Sequence, residues 1–153
     1  MRWLFVVLVA LGSLAGSATP ADAADGSARV TIDADTTLGP DFMGTGIFTA
    51  SAPLCPTGVV VDKFRRVLPS DAGTQNLIVG KHFACGDGRG TFDVLLFVHL
   101  SFQPSFSDNF VWTVTSGTGA IAELRGFGSG TGALRPGGII DHYLGLVRVG
   151  ASD

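Results

Sequence analysis

The stretch Thr91–Phe102, TFDVLLFVHLSF, constrains the fold more than any other part of the chain. Phe92, Val94, Leu96, Val98, Leu100 and Phe102 alternate with Thr91, Asp93, Leu95, Phe97, His99 and Ser101. A strict period of two places the first set on one face of a strand, and an all-apolar face belongs against a core. The second face is polar at its ends and apolar at Leu95 and Phe97, so it is expected to be partly covered or to line an interior. A strand of this length bends or coils, as strands do in closed sheets.

The remainder repeats the pattern in weaker form. Asn109–Thr115 sets Phe110, Trp112 and Val114 against Val111, Thr113 and Thr115, after a turn at Gln103–Asp108 broken by Pro104. Gly138–Val149 sets Ile139, Tyr143 and Val147 against Ile140, Leu144 and Leu146. Shorter runs at Arg29–Ala34, Gly44–Ala50, Gly58–Lys63, Leu77–Ala84 and Phe127–Gly130 complete about eight strands, and no long amphipathic helical stripe appears. Eight short strands with glycine-rich turns predict an all-β domain, an antiparallel calycin-like barrel or alternatively a β-sandwich. Gly44, Gly46, Gly80, Gly126, Gly128 and Gly130 lie within or beside these runs. Strand glycines mark bends, bulges or close backbone approach, which favours the barrel.

The N-terminus has a different character. Arg2, an apolar run from Trp3 to Leu14, and Ala21-Asp22-Ala23 follow the order of a secretory signal peptide, with cleavage expected after Ala23. The apolar run, a signal helix of about a dozen residues, is too short to cross a bilayer core of roughly 30 Å. The expected organisation is a signal at 1–23 and a single domain at 24–153, secreted or extracytoplasmic, with no stable membrane insertion after cleavage. Loss of residues 1–23 removes Arg2 and Asp22, so the formal net charge stays at −3. That mild acidity offers no footprint for nucleic acid. Cys55 and Cys85 are the only cysteines, and an even count in an exported chain predicts a disulfide.

Residues 112–128, WTVTSGTGAIAELRGFG, end one strand, reverse at Gly117-Thr118-Gly119 and begin another at Arg125. Ala120–Leu124 is long enough for one helical turn, with Ile121 and Leu124 placed to plug the end of a core. This connection resembles the Gly-Thr-Gly-x-aromatic-x-x-x-x-Gly link of the dirigent and allene oxide cyclase barrels. It is similar also to small secreted actinobacterial proteins with such a barrel, in which Leu54-Cys55-Pro56-Thr57-Gly58 and Cys85-Gly86-Asp87-Gly88-Arg89-Gly90-Thr91-Phe92 find counterparts. Gly117, Thr118, Gly119, Leu124 and Gly126 match as structural turn positions, while Ile121 stands where the pattern has an aromatic residue. The resemblance implies an eight-stranded barrel with an interior cavity. It implies no reaction, since fold and function separate in such barrels.

No motif for a cofactor or a metal is present. CGDGRG at Cys85–Gly90 lacks the lysine and following helix of a phosphate loop, and reads as a hairpin turn. A serine elbow needs glycine two residues before and two after the serine, and around Ser129 those positions are Phe127 and Thr131. His82, His99 and His142 have no ligand spacing. Asp141-His142-Tyr143 is a polar patch in an apolar strand: Asp141 and Tyr143 share one face and His142 takes the other. The plain expectation puts Asp141 and His142 at a solvated edge. If the Asp93 face lined the barrel, Asp93, His99 and Arg125 would polarise a ligand or move a proton, with Phe97 and Trp112 as pocket walls. Three functions follow as expectations: a non-catalytic binding or cell-surface domain; a carrier of a small apolar ligand held by Phe92, Phe97, Phe102, Phe110 and Trp112; and a cyclase- or dirigent-like enzyme, implied by the resemblance alone.

Overall fold

The computed structural model describes residues 26–150; the expected signal segment lies outside them. Eight antiparallel strands close into one up-and-down barrel. They are β1 (Ala28–Leu38), β2 (Gly44–Ala50), β3 (Thr57–Leu68), β4 (Thr74–Cys85), β5 (Thr91–Ser101), β6 (Ser107–Gly117), β7 (Arg125–Arg135) and β8 (Gly138–Arg148). Strand β8 pairs back onto β1, so no edge is left open. Every strand is where the alternation put it, though most run further at one or both ends. The barrel, not the sandwich, is the architecture.

The long strand sets the rule for the rest. Phe92, Val94, Leu96 and Val98 are buried inside, while Phe97 and His99 are exposed outside. Strand β5 ends at Ser101, so Phe102 leaves the core row and lies half exposed at one mouth of the barrel. Asp108, Phe110, Trp112 and Val114 point inward from β6, and Val30, Ile32, Ala34 and Thr36 from β1. In β3 the register shifts between Asp62 and Phe64, leaving Lys63 as an extra residue. Such a bulge resets the alternation. Asp62 opposite Lys81 and Arg65 opposite Val79 therefore both face inward, three residues apart.

Strand β7 has almost no side chains on its inner face, because Gly126, Gly128, Gly130 and Gly132 occupy it. Its neighbours fill the space. A Cβ at Gly128 would meet Trp112 Nε1 at 2.8 Å, one at Gly130 the Phe110 ring at 2.3 Å, and one at Gly132 Asp108 Oδ2 at 2.3 Å. The side chains of β6 thus fold across β7, and the glycines are a steric requirement of that packing.

The two ends of the barrel differ. At one end the β2–β3 loop inserts Leu54, and the β6–β7 link inserts Ile121 and Leu124; all three are buried. The helical turn expected in this link is a short 3-10 turn at Gly119–Ile121. Gly119 takes φ +61°, and a Cβ at Gly117 would stand 2.1 Å from the Ile121 carbonyl oxygen, so both glycines are needed. Thr118 Oγ1 accepts a 2.9 Å hydrogen bond from the Thr91 amide and so ties the link to β5. Beneath this plug Phe48, Phe83 and Phe92 pack together, with Phe83 and Phe92 stacked at 4.7 Å. The other end, ringed by the β1–β2, β3–β4, β5–β6 and β7–β8 loops, is open.

Cys55 and Cys85 form a disulfide with a Cα–Cα distance of 5.6 Å. Cys55 is fully buried. A buried bridge fits an extracellular protein, and among the described residues no helix is long and apolar enough to cross a membrane. The bond joins the β2–β3 loop to the end of β4, across a separation of 30 residues. Chain entropy values that closure at about 3.5–4 kcal/mol. Reduction, or the pair Cys55→Ala and Cys85→Ala, is expected to lower unfolding stability by about that amount with the barrel retained. Urea denaturation with and without reductant measures it, and an unchanged midpoint would count against the bridge as a staple.

Candidate functional site

A cavity of about 280 Å³ opens from the unplugged end. Its walls are Leu77 and Val79 from β4, Leu96, Val98 and Leu100 from β5, Phe110 from β6 and Ile139 from β8. Phe42, Phe102, Phe106 and Leu134 surround the mouth, each more than a third exposed. The Arg65 guanidinium lies over the Phe42 ring at 5.4 Å.

The floor of this apolar well is ionic. Lys81 projects inward from β4, and its Nζ lies 2.9 Å from Asp62 Oδ1 and 3.2 Å from Asp141 Oδ2. All three side chains are 5–6% exposed. The Gly44 amide donates to Asp62 Oδ2 at 2.7 Å, which anchors that carboxylate to the start of β2. Burial alone would lower the Lys81 pKa, but Asp141 and Asp62 outweigh it and hold the ammonium above its usual value. Burial raises the Asp141 pKa despite the pull of Lys81. The Tyr143 hydroxyl is buried close enough to Asp141 for their charges to couple, yet it completes no hydrogen bond of good geometry. Burial, followed by the negative charge of Asp141, Asp62 and Asp108, pushes its pKa well above the ordinary phenol value.

Asp108 is the odd member. It faces Asp141 across Gly132, since Gly132 pairs with Asp108 on one side and with Asp141 on the other. It lines the cavity, is 6% exposed, and its Oδ1 has no hydrogen-bond partner among the described residues. Burial and then the Asp141 charge raise its pKa to about 6, with Lys81 too weak to compensate. One buried cation therefore serves three buried carboxylates.

The residues proposed from the sequence fall elsewhere. A strand has one inner face, and the wholly apolar face of β5 takes it; Asp93, Phe97 and His99 are consequently outside. Asp93 accepts hydrogen bonds from Lys63 at 2.7 Å and Ser116 at 3.1 Å, and its Oδ1 lies 2.7 Å from His82 Nδ1. Burial opposes ionisation there, but these partners lower its pKa. His99 Nδ1 bonds Asn76 Oδ1 at 2.8 Å. Arg125 is exposed, donates to the Leu124 carbonyl and contacts Glu123. Only Trp112 points inward, where Nε1 donates to the Ser129 carbonyl at 3.2 Å and its ring packs on Tyr143 at 6.1 Å. Of the proposed aromatic lining, Phe92 lies in the plugged half, Phe110 lines the cavity and Phe102 its mouth. Asp141 is buried on the barrel floor and not at a solvated edge. The alternation did place Asp141 with Tyr143 on one face and His142 on the other.

A larger depression of about 830 Å³ lies on the outer surface between β5 and β1, bordered by Phe97, His99, Val111, Ser129, His142 and Leu144. It is broad and open. Its histidines have partners, His99 on Asn76 and His142 on Asp33, whereas the interior cavity ends on an unpartnered carboxylate. The interior is the better site on chemistry. Comparison with protein-family models, curated proteins and solved structures gives no match.

Two outcomes test this electrostatic description. A carboxyl group whose folded pKa is raised holds more protons folded than unfolded, so stability falls as pH rises from about 4 to about 6. Asp108→Asn should flatten that fall and stabilise the protein at neutral pH, by on the order of 2–3 kcal/mol. Thermal or urea unfolding across this range decides it, and an unaltered pH slope rejects the assignment. Lys81→Met removes the one interior ammonium and strands Asp62 and Asp141, which should cost about 3–5 kcal/mol at neutral pH. A loss below about 1 kcal/mol, within the range of an exposed pair, would contradict the buried pairing.

Proposed function

We propose that this is a secreted, non-catalytic binding protein whose half-hollow barrel carries one small, largely apolar ligand. The observation behind the reading is the cavity of about 280 Å³, with an aliphatic and aromatic wall and a single polar end. Ligand sites combine apolar lining with a few placed polar groups, over roughly 300–1,000 Å³, so this cavity suits a small ligand. Eight-stranded barrels have room for a filled core or one such ligand, and here the two uses divide the barrel lengthwise. Exposed Phe42, Phe102, Phe106 and Leu134 give an apolar approach to the mouth. Secretion rests on the N-terminal pattern together with the disulfide. Kinship with the dirigent and allene oxide cyclase barrels belongs to the same proposal, supported by the Gly117–Gly126 link and the closed eight-stranded frame.

A second reading, a cyclase- or dirigent-like enzyme, draws support from one observation. Asp108, with a pKa raised to about 6, shares the cavity with Lys81 and Asp141. A carboxyl group in that range can give or take a proton near neutral pH. Turnover of a bound compound, lost in Asp108→Asn, would establish this reading over the first.

Native mass spectrometry of protein purified from its producing organism should reveal a bound small molecule. Leu100→Trp, which fills the cavity from β5, should abolish that mass while preserving the fold. Protein that arrives empty and takes up no apolar probe would overturn the carrier reading.

A further inference from the structure

We infer that the ligand of this cavity carries a protonated amine at the end of its apolar body, and that the amine docks on Asp108 beside Asp141. The inference rests on the carrier reading and assigns the polar end of the ligand. Its basis is the balance of charge and hydrogen bonding on the cavity floor. Lys81 lies within ion-pair distance of Asp62 and Asp141. Asp62 has in addition the Gly44 amide. Asp108, buried and lining the same cavity, has an Oδ1 with no partner among the described residues.

A buried carboxylate without a donor is costly, and it is relieved by a proton or by a donor brought from outside. Three ligand classes respond differently. A carboxylate would add a fourth negative charge beside Asp108 and Asp141 and be repelled. A hydroxyl would donate one hydrogen bond and leave the excess negative charge in place. A primary ammonium supplies three donors and the missing positive charge, and charge-assisted bonds are about twice as strong as neutral ones. Gly132 sets the two carboxylates side by side: it pairs with Asp108 and with Asp141, and because it has no Cβ the Asp108 carboxylate lies across it, where a Cβ would stand 2.3 Å from Oδ2. The walls of Leu77, Val79, Leu96, Val98 and Phe110 take the rest of the molecule and favour an organic cation over a hydrated inorganic one.

The site should also respond to pH. Facing Asp108 are Lys81 from β4, Asp62 from β3, and Asp141 and Tyr143 from β8, with Arg65 nearer the mouth. Lys81 stays charged and Tyr143 neutral through the acid and neutral range, because both are held above their usual values. Asp108 changes near pH 6, and Asp141, whose pKa burial also raises, shifts in the same direction. Below that Asp108 is protonated and no longer attracts an ammonium, so amine affinity should decline as pH falls through about 6.

Hexylamine, hexanol and hexanoate, matched in apolar length, provide the test by calorimetric or NMR titration of the full domain. At neutral pH hexylamine should bind at least about tenfold more tightly than hexanol, and hexanoate least. In Asp108→Asn the amine preference and its decline near pH 6 should both vanish, while hexanol still binds. Equal binding of amine and alcohol to the unsubstituted protein would refute the amine but leave an apolar carrier standing. Failure of all three probes would refute the carrier reading and the amine with it. An amine preference that persists in Asp108→Asn would place the ammonium elsewhere and overturn the assignment to Asp108.

Discussion

The barrel depends on a strand, β7, whose inner face is glycine at Gly126, Gly128, Gly130 and Gly132. Eight strands leave a lumen only wide enough for packed side chains, and β6 delivers Trp112, Phe110 and Asp108 into it from adjacent inward positions. They fit because Gly128, Gly130 and Gly132 on β7 lie beneath them, with no room for a Cβ. Trp112 and Phe110 then reach Tyr143 on β8, at 6.1 and 4.8 Å between ring centroids. An aromatic layer crosses the barrel at mid-height. Above it Phe48, Phe83 and Phe92 fill the lumen up to the Leu54, Ile121 and Leu124 plug. Below it the wall is mainly aliphatic, with phenylalanines at the mouth, and leaves the cavity.

That division gives the polar floor its character. Lys81 and Asp141 line the cavity where the aromatic layer ends, and Asp62 pairs with Lys81 there; all three are nearly buried. Each ion is costly to desolvate, and the pairings recover that cost only in part. A core built for stability alone would close this half with more leucine and phenylalanine. Asp108 sharpens the contrast, because its Oδ1 has no hydrogen-bond partner among the described residues, in a region already short of positive charge. Local destabilisation of this kind is characteristic of sites shaped for a ligand.

Much of the frame was legible in the sequence. The strict alternation of Phe92 to Val98, the Gly-Thr-Gly link and the cysteine pair each carry their meaning locally, and each is where the residues indicated. The floor was less legible, for physical reasons. Lys81 lies in IVGKHFAC, where a lone cation in a strand reads as an outward residue, and only closure of the barrel turns it toward Asp141. Asp62 continues the inward row of Gly58 and Val60, but the bulge at Lys63 breaks the period just after it, so the row does not run on through the strand. Asp108 precedes a hydrophobic strand and resembles the end of a turn. Asp141 and Tyr143 carried a signal, since a carboxylate and a phenol share a face with Ile139 and Val147. That face was an inner one, so the carboxylate deserved weight. Asp93 and His99 misled because a polar pair on a half-apolar face looks like a lined pocket; in the barrel it belongs to a surface network with Lys63, His82 and Asn76.

The position of the charges also supports the proposed binding floor over a purely structural ion pair. A pair that only joins strands needs equal numbers of opposite charges and no access. Here Lys81 spans the barrel from β4 to β8 and so fixes the distance between opposite walls. The third carboxylate faces the same cavity and takes no part in that bridge. The bridge holds the well open at its base, and Asp108 gives the base an unmet demand for a donor. Removing the bridge would unbalance the fold, whereas removing the Asp108 charge would ease it. The two effects have opposite signs, and in that contrast the scaffold and the proposed binding group become separable on one floor.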